Sequence, residues 1–202
     1  MKILIIQQKM IGDVLTSSIL FEAIKTKYPD SELHYAINSH TFPVIENNPF
    51  IDKFVFVTPE IEKSKRKFLV FLKQINKTKY DVVIDVYSKL SSNLMTLFSG
   101  AKTKISKHKW YTSFSYTQTC KYEKTAKSNA GLAIENRLQL LESLDISGGK
   151  LLKPKIYLTE REKKTAETFL TANQIDLDTS LYMISVLGSG KNKTYPFDFL
   201  ES

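Results

Sequence analysis

The chain has 202 residues, of which 42% are hydrophobic and 25% are charged. This ordinary composition excludes collagen-like, low-complexity and disulfide-rich proteins, and a chain of this length can bury a full hydrophobic core. The single cysteine, Cys120, excludes an internal disulfide and a cysteine-rich zinc site. No segment approaches the ~20 apolar residues of a membrane-spanning helix, and the first apolar run is too short for a signal peptide. We therefore expect a cytoplasmic protein.

The net charge of +8 is concentrated in one stretch of the chain. Residues 101–128 contain seven lysines and one acidic residue. Such a stretch attracts phosphates, whether these belong to nucleic acid, to anionic lipids or to a small ligand. Aromatic residues, among them Trp110 and Tyr122, interleave with the lysines. They fit base stacking on single-stranded nucleic acid, and they fit equally a surface loop that its aromatic side chains anchor to the core.

The predicted elements alternate between strand and helix along the chain. Short apolar runs predict strands at residues 3–6, 31–37, 53–57, 81–87, 103–105 and 180–187. Helical spacing of apolar residues predicts helices at residues 14–28, 60–80, 89–99, 129–144 and 160–173. The alternation predicts an α/β fold with a Rossmann-like, doubly wound parallel sheet. We expect a first domain over residues 1–150. Residues 151–202 then form a linker and the first helix and strand of a second, incomplete domain.

The turn after the first predicted strand contains Gly12 and Asp13. In doubly wound sheets, ligands bind beyond the carboxyl ends of the strands. Gly12 lets a ligand approach the backbone closely, and Asp13 lies where the positive end of a helix dipole favours a carboxylate. Alternatively, Asp13 only caps the helix by accepting a hydrogen bond from a backbone amide of the first turn. Thr16 and Ser17 follow as candidate phosphate ligands, or as solvated hydroxyls.

A second glycine-containing loop, residues 188–193, follows the last predicted strand. Its Ser189 and Gly190 precede two lysines, of which the second is Lys193. Such a loop can hold phosphates through backbone amides and ammonium groups, although many similar loops are only turns.

The other titratable residues give weaker signals. The three histidines do not share the spacing of metal ligands, so we expect no metal site. Asp85 lies near the carboxyl end of the strand predicted at 81–87 and either faces the ligand cleft or has a structural role.

Several segments, taken in order, resemble the lipopolysaccharide heptosyltransferases, glycosyltransferase family nine. The similar segments are Ile3-Leu4-Ile5-Ile6, Ile11-Gly12-Asp13-Val14-Leu15, Ala23-Ile24-Lys25-Thr26-Lys27-Tyr28-Pro29, Asn48-Pro49-Phe50-Ile51-Asp52-Lys53, Tyr80-Asp81-Val82-Val83-Ile84-Asp85, Glu135-Asn136-Arg137-Leu138-Gln139-Leu140-Leu141, Gly188-Ser189-Gly190 and Lys193-Thr194-Tyr195-Pro196. The resemblance implies the two-lobed GT-B architecture, here truncated in its second lobe. The first lobe binds the sugar acceptor and the second binds the nucleotide-sugar donor, typically ADP-heptose.

The resemblance also implies roles for individual residues. Asp13 matches the general base of the family's Gly-Asp motif, and the neighbouring Gly12, Thr16 and Ser17 would bind the acceptor. The donor phosphates would be held by Ser189, Gly190 and Lys193. Transfer in the family inverts the anomeric centre without a metal or other cofactor. Val186-Leu187 replaces the family's His-Pro and Tyr195 its usual Trp, which leaves the identity of the donor sugar open.

The resemblance thus predicts an inverting glycosyltransferase that moves a heptose or related sugar to an acidic lipopolysaccharide core. The acceptor implies peripheral contact with the inner face of the cytoplasmic membrane, and residues 101–128 suit an anionic surface. One alternative is a non-catalytic module that binds acceptor glycolipid. Another is a basic nucleic-acid-binding domain, although nucleic acid is not the partner that the resemblance implies.

Overall fold

A computed structural model describes residues 1–146, 152–176, 179–180 and 182 of the chain. The chain divides into two compact units, Met1–Tyr157 and Leu158–Ser202. The predicted boundary at residues 150 and 151 falls in a segment outside the described residues, and residues 152–157 belong to the first unit.

The first unit contains a parallel sheet. Its described strands are β1 (Lys2–Ile6), β2 (Glu32–Asn38), β3 (Lys53–Val57), β4 (Val82–Asp85), β5 (Thr103–Lys107) and β6 (Gln118–Cys120). They lie in the order β3-β2-β1-β4-β5-β6, and every neighbouring pair is parallel. The predicted α/β fold with a Rossmann-like sheet is therefore confirmed. β6 was not predicted, because this strand of three residues at the edge of the sheet has largely exposed side chains and no apolar pattern.

Helices flank the sheet and follow the predicted order, but several are shorter than predicted. In the first unit they are α1 (Ile11–Ser17), α2 (Ile19–Lys27), α3 (Pro59–Lys63), α4 (Lys65–Lys77), α5 (Leu90–Phe98) and α6 (Leu132–Leu138). The second unit contains α7 (Glu160–Ala172). Short 3₁₀ helices cover Ser39–Val44, Ser113–Ser115 and Gln139–Leu144.

The helices predicted at 14–28, 60–80 and 129–144 are present, but each is divided in two instead of continuous. At Ser64 the backbone is extended, and the serine hydroxyl accepts a hydrogen bond from the Lys67 amide at 3.3 Å. That bond caps a new helix, as serine commonly does at a helix N-terminus.

The hydrophobic core lies on both faces of the sheet. Alternate residues of β1 point to opposite faces, so that Ile3 and Ile5 pack in one cluster and Leu4 and Ile6 in the other. All four side chains are fully buried, as expected for a central parallel strand covered on both sides. This packing holds the carboxyl ends of β1 and β4 side by side.

The second unit is described chiefly by α7, which confirms the helix predicted at 160–173. A capping box begins this helix: Thr159 Oγ1 accepts from the Glu162 amide at 3.2 Å, and the Glu162 carboxylate accepts from the Thr159 amide at 2.7 Å. The strand predicted at 180–187 lies mostly outside the described residues. Across the described parts of the chain, no helix combines the length and the apolar character needed to cross a membrane.

Candidate functional site

A cleft of about 680 Å³ lies beyond the carboxyl ends of β1, β4 and β5. The chain order of the strands reverses between β1 and β4, and doubly wound sheets bind their ligands at this point of reversal. The cleft is lined by Gln7, Lys9, Met10, Asp13, Val86, Tyr87, Lys89, Lys107, Tyr122, Leu132, Ala133, Asn136 and Arg137.

Asp13 contributes a half-exposed carboxylate to this cleft. It is the third residue of α1, which begins at Ile11 after the cap residue Met10, and no side chain caps the helix. The alternative in which Asp13 only caps the helix is therefore wrong. Instead, Asp13 Oδ1 accepts a hydrogen bond from Arg137 Nη2 at 2.7 Å, and the Asp13 side chain remains 51% exposed.

Arg137 fixes the position of that carboxylate. Its Nε donates to Ser17 Oγ at 2.9 Å and its Nη1 donates to the Ala133 carbonyl at 2.8 Å, while Nη2 bonds Asp13. The Arg137 side chain is only 12% exposed. The planar guanidinium is thus held by three acceptors, which sets its orientation. No hydrogen bond among the described residues engages Asp13 Oδ2, which leaves this oxygen available to a ligand.

The predicted acceptor residues Gly12, Thr16 and Ser17 lie together in α1, but none of them lines the cleft. Thr16 Oγ1 donates to the Gly12 carbonyl at 2.7 Å. Ser17 is fully buried, and its hydroxyl oxygen accepts the hydrogen bond from Arg137 Nε. A Cβ atom added to Gly12 would meet nothing within 4 Å, so the protein itself does not require glycine here.

The side chains lining the cleft carry an excess of positive charge. Lys9, Lys89, Lys107 and Arg137 line it, and Asp13 supplies the one carboxylate among the described lining residues. Arg137 neutralises Asp13, and Lys9 forms an ion pair with a glutamate outside the cleft at 2.7 Å. The ammonium groups of Lys89 and Lys107 therefore dominate the electrostatics of the cleft and favour an anionic ligand.

Lys107 is the more buried of these two lysines. Burial lowers the pKa of its ammonium group, and the nearby positive charges of Lys109 and Lys89 lower it further. The Lys107 Nζ lies 5.7 Å from the centroid of the Tyr122 ring. A bound anion would relieve the repulsion between the lysines, so Lys107 is a favourable place for an acidic group of a ligand.

Asp85 does not face the cleft, so the interpretation that it does is wrong. It is fully buried, with Oδ1 accepting from the Ser88 amide and Oδ2 from the Tyr116 hydroxyl, both at 2.7 Å. Burial raises the pKa of Asp85 to about 6, against the lowering effect of these two hydrogen bonds. Asp85 instead holds the turn of residues 86–89, in which Ser88 has a φ of +49°. Three residues of this turn line the cleft.

The sequence did not single out Arg137 or Lys107 as site residues. Arg137 stood in a segment that resembled the family, and Lys107 was only one lysine of the basic stretch 101–128. Their roles depend on contacts between distant segments, which a sequence pattern does not display. Ser189, Gly190 and Lys193 lie outside the described residues, so the donor loop stays a prediction. Within the described ranges, no three His, Cys, Asp or Glu side chains cluster to hold a metal ion.

Comparison with known proteins gives the site a family context. The sequence model of glycosyltransferase family 9 (heptosyltransferase) matches residues 68–201. Lipopolysaccharide heptosyltransferase 1 of Campylobacter coli is 28% identical over 96 residues, which are 48% of this chain and 28% of that protein.

Two solved structures share the fold. The glycosyl transferase family 9 protein of Veillonella parvula superimposes with a TM-score of 0.83 at 18% identity, over 98% of this chain and 57% of that one. The Escherichia coli heptosyltransferase WaaC with ADP-2-deoxy-2-fluoro heptose gives a TM-score of 0.70 at 17% identity, over 98% of this chain and 62% of that one. The chain thus spans less than two thirds of the proteins that it resembles.

Proposed function

Because the chain belongs to glycosyltransferase family 9, the heptosyltransferases, we propose that it is the acceptor-binding part of a transferase acting on an acidic lipopolysaccharide core. A heptose or related sugar is transferred from a nucleotide-sugar donor with inversion of the anomeric centre. The observation that carries this proposal is the half-exposed Asp13 carboxylate, which Arg137 fixes in a cationic cleft at the reversal point of the sheet.

In the proposed reaction, Asp13 is the general base. Its Oδ2 accepts the proton of an acceptor hydroxyl while the hydroxyl oxygen attacks the anomeric carbon. A new glycosidic bond forms, the bond from that carbon to the donor phosphate breaks, and the nucleoside diphosphate leaves with the electron pair. A base fixed within hydrogen-bond reach of the attacking oxygen contributes about 10²- to 10⁴-fold to such a step. A single displacement of this kind inverts the anomeric centre.

In this proposal the acceptor is bound by positive charge and fits into open space beside Asp13. Lys89 and Lys107 bind its acidic groups through charge-assisted hydrogen bonds. The open space beside Gly12 admits the sugar next to Asp13. The Thr16 hydroxyl is bonded to the Gly12 carbonyl, and Ser17 acts indirectly by holding Arg137. Because such an acceptor is linked to lipid, we propose that the protein works at the inner face of the cytoplasmic membrane.

The donor side of the proposal rests on the family. That WaaC was solved with ADP-2-deoxy-2-fluoro heptose supports a nucleotide sugar, with ADP-heptose as the first choice. Ser189, Gly190 and Lys193 would meet the charge that develops on the leaving diphosphate, through amide donors and an ammonium group. The mechanism then requires no metal and no further cofactor.

An assay of sugar transfer tests the proposal. The 202-residue chain and the complete gene product are each incubated with ADP-heptose and a lipopolysaccharide-core acceptor, and the acceptor mass is followed. The proposal predicts the gain of one heptosyl residue with the complete gene product. Acceptor binding without transfer by either form would overturn it in favour of a non-catalytic glycolipid-binding module. Salt-sensitive binding of single-stranded oligonucleotides, without acceptor binding, would indicate a nucleic-acid-binding domain instead.

A further inference from the structure

A second concave site lies beside the cleft. It is a groove of about 330 Å³ between α5 and residues 109–115, and its only residue in common with the cleft is Lys89. Its hydrophobic lining consists of Leu90, Leu94 and Leu97 from α5, and of Tyr111 and Phe114 from the segment that faces this helix. The three leucines and Phe114 are apolar throughout. Three of these side chains are well exposed, Leu90 at 76%, Leu97 at 42% and Phe114 at 79%. Exposed apolar side chains that share one concavity are typical of a binding surface.

The groove also has polar and cationic lining residues. Lys89 and Lys109 line it, and the Lys109 ammonium also donates to the Ser88 carbonyl, which anchors its position. Thr112 lines the groove as well and is only 8% exposed, yet its hydroxyl has no hydrogen-bond partner among the described residues. Among the described residues, no acidic side chain lines the groove.

These two sets of lining residues match the two ends of an amphiphile. An apolar chain would cover the exposed leucines and Phe114, and an anionic group would pair with the two ammonium groups. We propose that this groove binds one molecule of an anionic lipid, with the phosphate or carboxylate toward Lys89 and Lys109. The inference goes beyond the proposed transferase function, because such binding needs neither a donor nor transfer of a sugar.

Other anionic ligands fit the groove less well. Free phosphate would pair with the lysines but leave the leucines and Phe114 exposed to water. Single-stranded nucleic acid binds through stacking on aromatic rings along a positively charged track. Of the described hydrophobic side chains that line the groove, three are leucines, which offer no ring for stacking, and two, Tyr111 and Phe114, are aromatic.

The only tryptophan of the chain reports on this groove. Trp110 is 84% exposed, and its ring centroid lies 5.6 Å from that of Tyr111, which lines the groove. The 202-residue chain is titrated with decyl phosphate below its micelle concentration while Trp110 fluorescence is recorded. Inorganic phosphate and the uncharged decyl maltoside are titrated in parallel. We expect decyl phosphate to bind at least about tenfold more tightly than either, because only it contacts both the apolar and the cationic lining residues.

Two variants test whether decyl phosphate binds in the groove, and a third variant outside the groove is their control. Leu97→Glu and Phe114→Ser, both at exposed positions, are expected to weaken decyl phosphate binding about tenfold. Leu69→Glu, at a 57% exposed leucine of α4 outside this groove, should leave it unchanged. Circular dichroism checks that each variant is folded.

The inference is overturned if inorganic phosphate binds as tightly as decyl phosphate, or if decyl maltoside does. It is also overturned if both folded groove variants bind like the unsubstituted chain, or if only oligothymidine changes the fluorescence. Because Lys89 lines both sites, the variants at Leu97 and Phe114, which do not line the cleft, distinguish binding in the groove from binding of the proposed acceptor.

Discussion

At the scale of single residues, the site depends on one ion pair. Asp13 and Arg137 lie 124 positions apart in sequence, and the fold brings their side chains to 2.7 Å. A carboxylate and a guanidinium attract each other strongly when one partner is largely buried, and the bonds from Arg137 to Ser17 and Ala133 add direction. The pair therefore has a positioning role that charge alone would not give.

Replacing Arg137 by lysine tests that role. Lysine keeps the positive charge but cannot reach all three acceptors in one plane. We expect Arg137→Lys to lower the transfer rate about 10- to 100-fold and to change acceptor binding little, because Asp13 is then misplaced rather than removed. Transfer rate and acceptor affinity are measured separately, and an unchanged rate would show that the geometry of Arg137 is unimportant.

Gly12 offers a second test at this scale. Because a Cβ atom at Gly12 meets nothing in the protein, Gly12→Ala should leave the free energy of unfolding unchanged or raise it by up to about 1 kcal/mol. The same methyl group enters the space proposed for the acceptor and should weaken acceptor binding. Chemical denaturation and an acceptor titration are compared. A destabilised variant, or one with unaltered acceptor affinity, would contradict this assignment.

At the scale of elements, apolar patterns predict the central strands of the sheet. They do not predict features that depend on single hydrogen bonds or on pairing between strands. The buried run Ile3–Ile6 predicts a strand covered on both faces, and the structure has that strand as β1. In contrast, the break at Ser64 depends on one hydroxyl-to-amide bond, and β6 depends on pairing with β5. The site residues also differ in whether a local sequence pattern predicts them. Asp13 could be found from its turn, whereas Arg137 could not, because its role exists only through contact with another helix.

The turn after β4 depends on the hydrogen bond between Tyr116 and Asp85. Above about pH 6 the buried Asp85 is ionised, and its bond from the Tyr116 hydroxyl is charge-assisted. Tyr116→Phe should therefore lower the free energy of unfolding by about 1–3 kcal/mol near neutral pH.

The effect of Tyr116→Phe should depend on pH. Since the pKa of Asp85 is raised in the folded state, its contribution to stability falls as the pH rises from 3.8 to about 6, and losing a hydrogen-bond donor to the carboxylate raises that pKa further and extends the fall to higher pH. The loss should thus be larger at about pH 8 than at about pH 5. Urea denaturation at both pH values checks this. Equal losses would mean that Asp85 does not titrate in this range.

At the scale of the whole molecule, the first unit extends beyond the 3₁₀ helix Gln139–Leu144 and ends at Tyr157. Leu152 is only 9% exposed and packs in the core cluster on one face of the sheet. The Tyr157 ring lies 6.4 Å from that of Phe50, and its carbonyl accepts from Asn47 Nδ2 at 3.2 Å. Residues 152–157 are thus packed as part of the first unit.

Two truncated chains test where the first unit ends. One stops at residue 157, the end of the unit in the structure, and the other at residue 150, the end predicted from sequence. We expect residues 1–157 to fold cooperatively, and residues 1–150 to be less stable by about 2 kcal/mol or more, because they lack the buried side chain of Leu152. Leu152→Ala within 1–157 isolates the contribution of that side chain. Urea midpoints that coincide for 1–157 and 1–150 would contradict the expectation.

The most direct test of the proposed chemistry is the rate of sugar transfer by Asp13→Asn in the complete gene product, with acceptor affinity measured in parallel. Asparagine preserves the size of the side chain and its bond from Arg137, but it cannot take the proton of the acceptor hydroxyl. We predict a transfer rate reduced about a thousandfold with acceptor affinity changed by less than about threefold. A transfer rate within about tenfold of that of the unsubstituted protein would show that Asp13 is not the general base.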